Sequence, residues 1–545
     1  MREDIELKKG LRKVVSLVIL WGVILSMNVG AAAGKILFIP HDDRPISYHQ
    51  TVDVLRQAGY EMVVPPQELL SNATNMGHPD ELWQWLRENA PAADSAVIAS
   101  DSMLYGGLIP SRKHEIPEEK LAERLDGFVQ LHQANPQLHI YVFDSLMRTP
   151  DWGQEGNIEE PDYYAKYGAD FFHYSRLLDK EETEGLSKQE KKMMMERKKA
   201  IPAEYMQDWA ARRAKNLAAT KKLMDYARDG IIDYLILGRD DNAPLCQTHR
   251  ENREILAYAA ENKLPHTKFL SMPGIDEFNV LLLNRAVNDM TYEMPFVYVA
   301  YNEGKGGDTV PAFSDEKISA SVDAALAIAG GLKVPAPARA DFVLLVNTEK
   351  NGETIGLHNR FPDGKDFRPQ LLPDKSTRHF ASLVEDYVAK GYPVGIADIK
   401  YSNGADNALL EQLRQKGLLF KLKAYSGWNT ATNSTGFAIG TGMLAPKMTE
   451  DGKNKLLAVR YLDDWAYQAN VRTDVGNELV KQFGNPSYYI KLQDKLSFAE
   501  QQNNERMQAF ADRNLPHFDF LKGFKVKNPW LRMFECDIVL PKTPQ

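Results

Sequence analysis

Ile231 to Glu251 reads IIDYLILGRDDNAPLCQTHRE, a buried strand running directly into paired carboxylates. Tyr234 to Leu237 shows no polar alternation, so it is expected to be a strand covered on both faces, as in a parallel sheet. Gly238 breaks it, and Arg239, Asp240 and Asp241 follow at its carboxyl end. Parallel α/β folds place their ligands at that edge. Adjacent aspartates repel each other, a cost that points to a metal, a cation or a polar ligand. A helix-capping Asp beside a surface Asp paired with Arg239 is the plainer alternative.

The same design recurs along the chain. Lys35 to Pro45, KILFIPHDDRP, is a strand followed by His41, Asp42, Asp43 and Arg44. Asp101 ends the strand in AVIASDSMLYGG, and Asp144 and Arg148 end HIYVFDSLMR. Asn302 and Glu303 close FVYVAY, and VGIADIKYSNGAD carries Asp398 and Asn403. In a parallel α/β fold such strand ends share one face, so residues far apart in sequence converge on one pocket.

The chain has 545 residues, 43% of them hydrophobic, enough for a large core and more than one domain. A formal net charge of −8 leaves no basic face for nucleic acid. The two cysteines, Cys246 and Cys536, have no metal-ligand spacing. One disulfide or two buried thiols are both open.

Residues 1–33 read as an export signal, with Lys8, Lys9, Arg12 and Lys13 ahead of an apolar run from Val14 to Met27 and a small-residue site at Ala31 to Ala33. The run is shorter than the ~20 residues of a spanning helix. An uncleaved anchor is the alternative. No later segment is apolar enough to cross a bilayer, and a secreted or wall-associated protein is expected.

Beyond the signal, strands alternate with amphipathic helices in a βαβ rhythm. The pattern predicts a parallel N-terminal α/β unit over 34–334, either a TIM-like barrel or a doubly wound sheet. A helical insertion, 151–206, carries an aromatic cluster. Val334 to Ala340, VPAPARA, reads as a linker to a smaller α/β unit over 335–447, and 448–545 is expected to be a mainly helical tail used for packing. Asp276 and Glu277 in PGIDEF open a helix, where either capping or a second acid pair accounts for them. In AYSGWNTATNSTGFAIGTG, Ala424 to Gly442, Trp428 offers a stacking face and Asn429 a neutral amide, a composition suited to a sugar ring.

The ordered set PHDDRP, GRDDNAP, PGIDEF with LLLNRA, the glycine-rich segment after Glu303, and ADIKYSNGAD with AYSGWNTATNS resembles one family of bacterial proteins known only as a domain of unknown function. The resemblance spans nearly all of the mature chain. It implies an envelope or extracellular setting and supplies no catalytic residues. His41 departs from the aliphatic residue expected before Asp-Asp-Arg-Pro.

These residues predict a secreted carbohydrate-active hydrolase. Asp240 and Asp241 form the leading catalytic pair, with Asp101 as a third candidate for the acid. Asp42, Asp43, Arg44, Asp144, Arg148, Asp276, Glu277, Glu303, Asn403, Trp428 and Asn429 are the expected substrate-binding groups, for a glycan or another polar small molecule. No cofactor is required. One alternative is a hydrolase using a divalent cation bound by Asp42, Asp43, Asp240 and Asp241. Another is an envelope binding protein without turnover. No Walker A loop or GxSxG elbow is present.

Overall fold

The computed structural model describes residues 33–541 apart from 152, 154–156 and 357–368, so the expected export signal lies outside the described residues but for its last position. The apolar runs read from sequence become two parallel sheets. The first contains β1 (Ala33–Ile39), β2 (Tyr60–Val63), β3 (Ser95–Ala99), β4 (His139–Leu146), β5 (Tyr234–Arg239) and β6 (Phe269–Pro273) in the order β2-β1-β3-β4-β5-β6. Its edge strands do not meet, so it is an open, doubly wound sheet and the barrel alternative falls.

The second sheet holds β7 (Phe296–Tyr301), β8 (Leu332–Lys333), β9 (Phe342–Asn347), β11 (Val394–Asp398) and β13 (Ala424–Ser426), in the order β13-β11-β9-β7-β8. A parallel pair, β10 (Ile355–Gly356) with β12 (Tyr401–Ser402), lies beside it. Strands β7 and β8, placed with the first unit on sequence grounds, therefore belong to the second sheet. The Val334 to Ala340 segment joins two strands of one sheet rather than two units. Strand β7 pairs with β8 and β9 just as β1 pairs with β2 and β3, so each sheet reverses its strand order beside its first strand. Such switch points open the crevices in which α/β proteins bind ligands.

Alternation along each strand sends its side chains into different cores. Phe38, Val97, Phe143 and Ile236 face the same central core as Phe342, Leu344 and Val346 of the second sheet. Leu37, Ile98, Val142 and Leu237 face the outer helices of the first unit, and Val343, Leu345 and Ile396 those of the second. The central layer, shared by both sheets, consists of helices 49–57, 278–291, 318–328 and 431–444. Each large apolar side chain buried there contributes about 1.5–3 kcal/mol.

The glycine-rich stretch read as a sugar-binding segment is the innermost helix, Ala431–Leu444, buried along its whole length. A helix so enclosed needs no amphipathic stripe. Small residues let its neighbours approach: a Cβ on Gly436 would lie 2.6 Å from Glu277, at the N-cap of helix 278–291, and one on Gly440 2.7 Å from Val280 within that helix. Beyond residue 448 the chain is helical up to Asn514 and then forms an antiparallel hairpin, β14 (Lys525–Lys527) with β15 (Asp537–Val539). Among the described residues no helix is long and apolar enough to cross a membrane.

A Cβ at Gly442 would enter the Phe342 ring. Gly442→Ala should therefore lose a net 1–3 kcal/mol or so in urea denaturation, although alanine is the better helix former. An unchanged midpoint would show that the central layer tolerates expansion.

Candidate functional site

The loops leaving the carboxyl ends of both sheets meet in one buried polar cluster. After β1, Pro40 ends the strand and the Asp-Asp-Arg sequence folds on itself. The Arg44 amide donates to Asp42 Oδ1 at 3.1 Å, and Arg44 Nε to Asp42 Oδ2 at 2.8 Å. The Arg44 guanidinium then reaches Asp276 Oδ1 at 2.8 Å, and His41 Nε2 lies 3.0 Å from the same oxygen. The other oxygen of Asp276 accepts from the Asn429 amide at 2.8 Å and the Asn433 amide at 3.4 Å. One carboxylate thus joins the end of β1, the end of β6 and the loop after β13.

Burial alone would raise the pKa of Asp276, but the Arg44 charge and the His41 hydrogen bond overcome it and hold the group at about 2. Its neighbour Glu277 has no such cation. Burial, reinforced by the Asp276 charge, pushes it up to about 8, and its Oε1 has no hydrogen-bond partner. Both are therefore more than ordinary helix-opening acids: one is ionised, the other protonated at neutral pH.

A second group of charges lies over β3, β4 and β5. Arg112 donates to Asp240 and sits 3.5 and 3.6 Å from Glu159 and Glu160. Arg148 bonds Asp241 at 2.6 Å, Glu160 at 2.6 Å and Glu159 at 2.5 Å. Burial and the Asp240 charge raise Asp241 to about 6 despite Arg148 and Arg112. Burial opposes ionisation of Glu159 too, but Arg148, Arg532 and Arg112 hold it well below the usual carboxylate range. Arg213 grips Glu251 with two nitrogens at 2.7 Å and donates to the Met147 and Arg148 carbonyls, which aims the Arg148 side chain. Asp101 and Asp144 are buried together, bonded to Ser145 at 2.7 Å and Ser100 at 2.5 Å. Burial raises both, with the Asp144 charge adding to the effect on Asp101.

The C-terminal segment completes the cluster, although it reads from sequence as packing. Trp530 Nε1 donates to Asp43 Oδ1 at 2.8 Å, and the Arg44 and Arg532 guanidinium groups lie 5.8 and 5.5 Å from the Trp530 ring. Arg532 also bonds Glu159 at 2.6 Å and pairs with Glu535. Gln67 is the other donor to Asp43, which burial lifts to about 6. A π-helical stretch, Tyr461–Val471, supports the β13 loop from behind: Asp464, gripped by Arg460, accepts from the Gly427 amide at 2.7 Å.

Asp42, Asp43, Arg44, Asp276 and Asn429 therefore share one end of the cluster, and Asp240, Asp241 and Arg148 the other, with Glu159 between Arg148 and Arg532. Asn403 reaches its edge through its backbone amide, 3.0 Å from the Asn429 carbonyl. Asp101 is out of reach of solvent. Glu303 is exposed, and no contact places it in the cluster. The expectation of an open indole face at Trp428 is corrected: its ring is buried and packs against Phe534 at 5.4 Å. The insertion aromatics Tyr164 and Phe171 form a small core of their own with Trp209, so the insertion reaches the site through Glu159 and Glu160 instead. Cys246 and Cys536 are free and buried. Among the described residues no group of three or more His, Cys, Asp or Glu is arranged to hold a metal ion.

Sequence reasoning misses Arg112, Glu159, Glu160, Trp530, Arg532 and Glu535. None of these follows a strand directly, and only the excess of carboxylates over arginines at the strand ends hinted that further cations were needed.

The chain belongs to the family described as "Protein of unknown function (DUF4127)", which matches residues 36–539. No curated protein matches it significantly.

Replacing Asp276 by Asn leaves Arg44 buried with one anionic partner fewer, and should cost about 3–5 kcal/mol in denaturant unfolding. Glu277 titrates in the opposite sense. Its raised pKa contributes stability that is complete below about pH 4.5 and is lost progressively as pH rises to about 8. Glu277→Gln should remove that part of the pH dependence, and an identical stability profile across this window would contradict the assignment.

Proposed function

We propose that this member of the family is a carbohydrate-active hydrolase that works outside the cell, with Asp241 as general acid and Asp240 as the nucleophile or base beside it. The observation that carries this reading is the contrast between two adjacent groups at a strand end. Each is bound by an arginine, Asp240 by Arg112 and Asp241 by Arg148, yet burial and the Asp240 charge raise Asp241, its side chain 27% exposed, to about 6. Neighbouring carboxyl groups whose environments differ in this way supply an acid and a base, or an acid and a nucleophile. Export is supported by the charged and apolar pattern of residues 1–33.

In this scheme the protonated Asp241 gives its proton to the leaving glycosidic oxygen as the bond to the anomeric carbon breaks. Asp240 either attacks that carbon or takes a proton from the water that does. Water then supplies the second product hydroxyl, and both carboxyl groups return to their starting states. Arg44 and Asn429 offer donors to sugar hydroxyls, held in place by the buried Asp42 and Asp276. Arg148 and Arg112 keep the acidic pair in place.

Release of reducing ends from envelope and plant glycans tests this reading. Asp241→Asn and Asp240→Asn should each lose about 10²-fold or more in turnover, with circular dichroism unchanged. Because Asp241 must carry a proton to act, wild-type activity should fall as pH rises through about 6. Full activity in either folded variant would overturn the assignment.

A further inference from the structure

The amino-terminal edge of the sheets, opposite the cluster, carries a surface that the hydrolase reading does not use. Helix 278–291 starts at the carboxyl edge, beside Asp276, and ends at the amino edge, where β1 begins. At that point Gly34 packs against Met290, and a Cβ on Gly34 would lie 2.8 Å from its sulfur. Immediately beyond the helix, Tyr292 is 95% exposed with a left-handed backbone, and Met294 is 60% exposed. Phe296, 40% exposed, pairs in register with Leu332, 48% exposed, on the edge strand β8. A contiguous apolar patch therefore surrounds the place where the chain enters the fold.

Three lysines beside this patch are paired with acids, and two further carboxylates, Asp94 and Asp341, accept from the Lys35 and Phe296 amides at 2.7 and 2.8 Å. Lys447 pairs with Glu293 at 2.6 Å, Lys333 with Asp323 at 2.7 Å and Lys35 with Glu61 at 3.3 Å. A rim of this kind offers nothing to a polyanion. A tyrosine with Met, Phe and Leu suits the boundary between lipid headgroups and acyl chains. In sequence, the apolar run Val14 to Met27 ends six residues before Ala33, and six residues span at most roughly 20 Å. The part of the chain best suited to lipid thus joins the fold beside this patch.

Taking the alternative in which the N-terminal apolar run stays attached as an anchor, we infer that this edge rests on a lipid bilayer, with Tyr292, Met294, Phe296 and Leu332 entering the interface next to that run. The strands then point away from the membrane, and the carboxylate cluster at their far ends faces outward, toward a polymer beyond the lipid rather than a lipid headgroup.

The test uses the full chain with vesicles of phosphatidylethanolamine and phosphatidylglycerol. Because Cys246 and Cys536 are buried, an introduced cysteine reacts selectively with a water-soluble maleimide. Tyr292→Cys reports on the patch, and Lys350→Cys, exposed just past β9, on the opposite edge. Vesicles should slow labelling at 292 by about tenfold or more and leave 350 unchanged. The inference is overturned if the protein does not sediment with vesicles, if the two positions respond equally, or if only 350 is protected. Protection at 292 that appears without lipid and grows with protein concentration would instead identify a second copy as the occupant.

Discussion

A carboxylate taken out of water remains ionised only if the protein supplies the charge and hydrogen bonds that water gave it. Asp276 meets that condition with groups from both sheets: Arg44 and His41 from the loop after β1, Asn429 and Asn433 from the start of the central helix. The two carboxyl edges are therefore held in register by one side chain. The hydrophobic layer beneath brings the sheets together without directional preference; Asp276 fixes which loop faces which.

The cost of such an arrangement appears in the backbone. Asp241, Asn403, Asn429 and Leu531 all have positive φ, each at a strand end or loop bordering the cluster. Left-handed geometry costs a residue with a side chain on the order of 1 kcal/mol, least for Asn and Asp. The ion pairs and amide bonds around these loops offset it. Asp240 and Asp241 are held apart by different arginines, so two carboxyl groups adjacent in sequence experience different fields, and chemistry that needs unequal acids depends on such a difference.

Much of this was legible in the sequence because strand ends are local features. An apolar run that gives way to Asp or Arg announces both the strand and its functional edge; Pro40 and Gly238 mark the break in β1 and β5, and in β3, β4 and β11 the acid follows the apolar run without one. What was not legible depended on long-range partners. The glycine-rich segment at 431–444 resembles a ligand loop in composition, and only the proximity of Val280, Glu277 and Phe342 explains its small residues. Strand β7 sits next to β9 through pairing across an intervening helix, which periodicity does not encode. Arg112 and Arg532 follow no strand, and their value lies in carboxylates 128 and 373 residues away.

Trp530 and Arg532 have a consequence for when the protein becomes competent. They bind Asp43, just past the end of the first strand, and Glu159, so a segment near residue 530 closes a cluster opened near residue 43. During synthesis β1 emerges long before this segment. Until residues 530–532 follow, Asp43 lacks its indole donor and Glu159 one of its three arginines. The cluster therefore closes only once the chain has been made to this point, and a chain arrested before residue 530, or trimmed there, exposes acids without the charges that organise them.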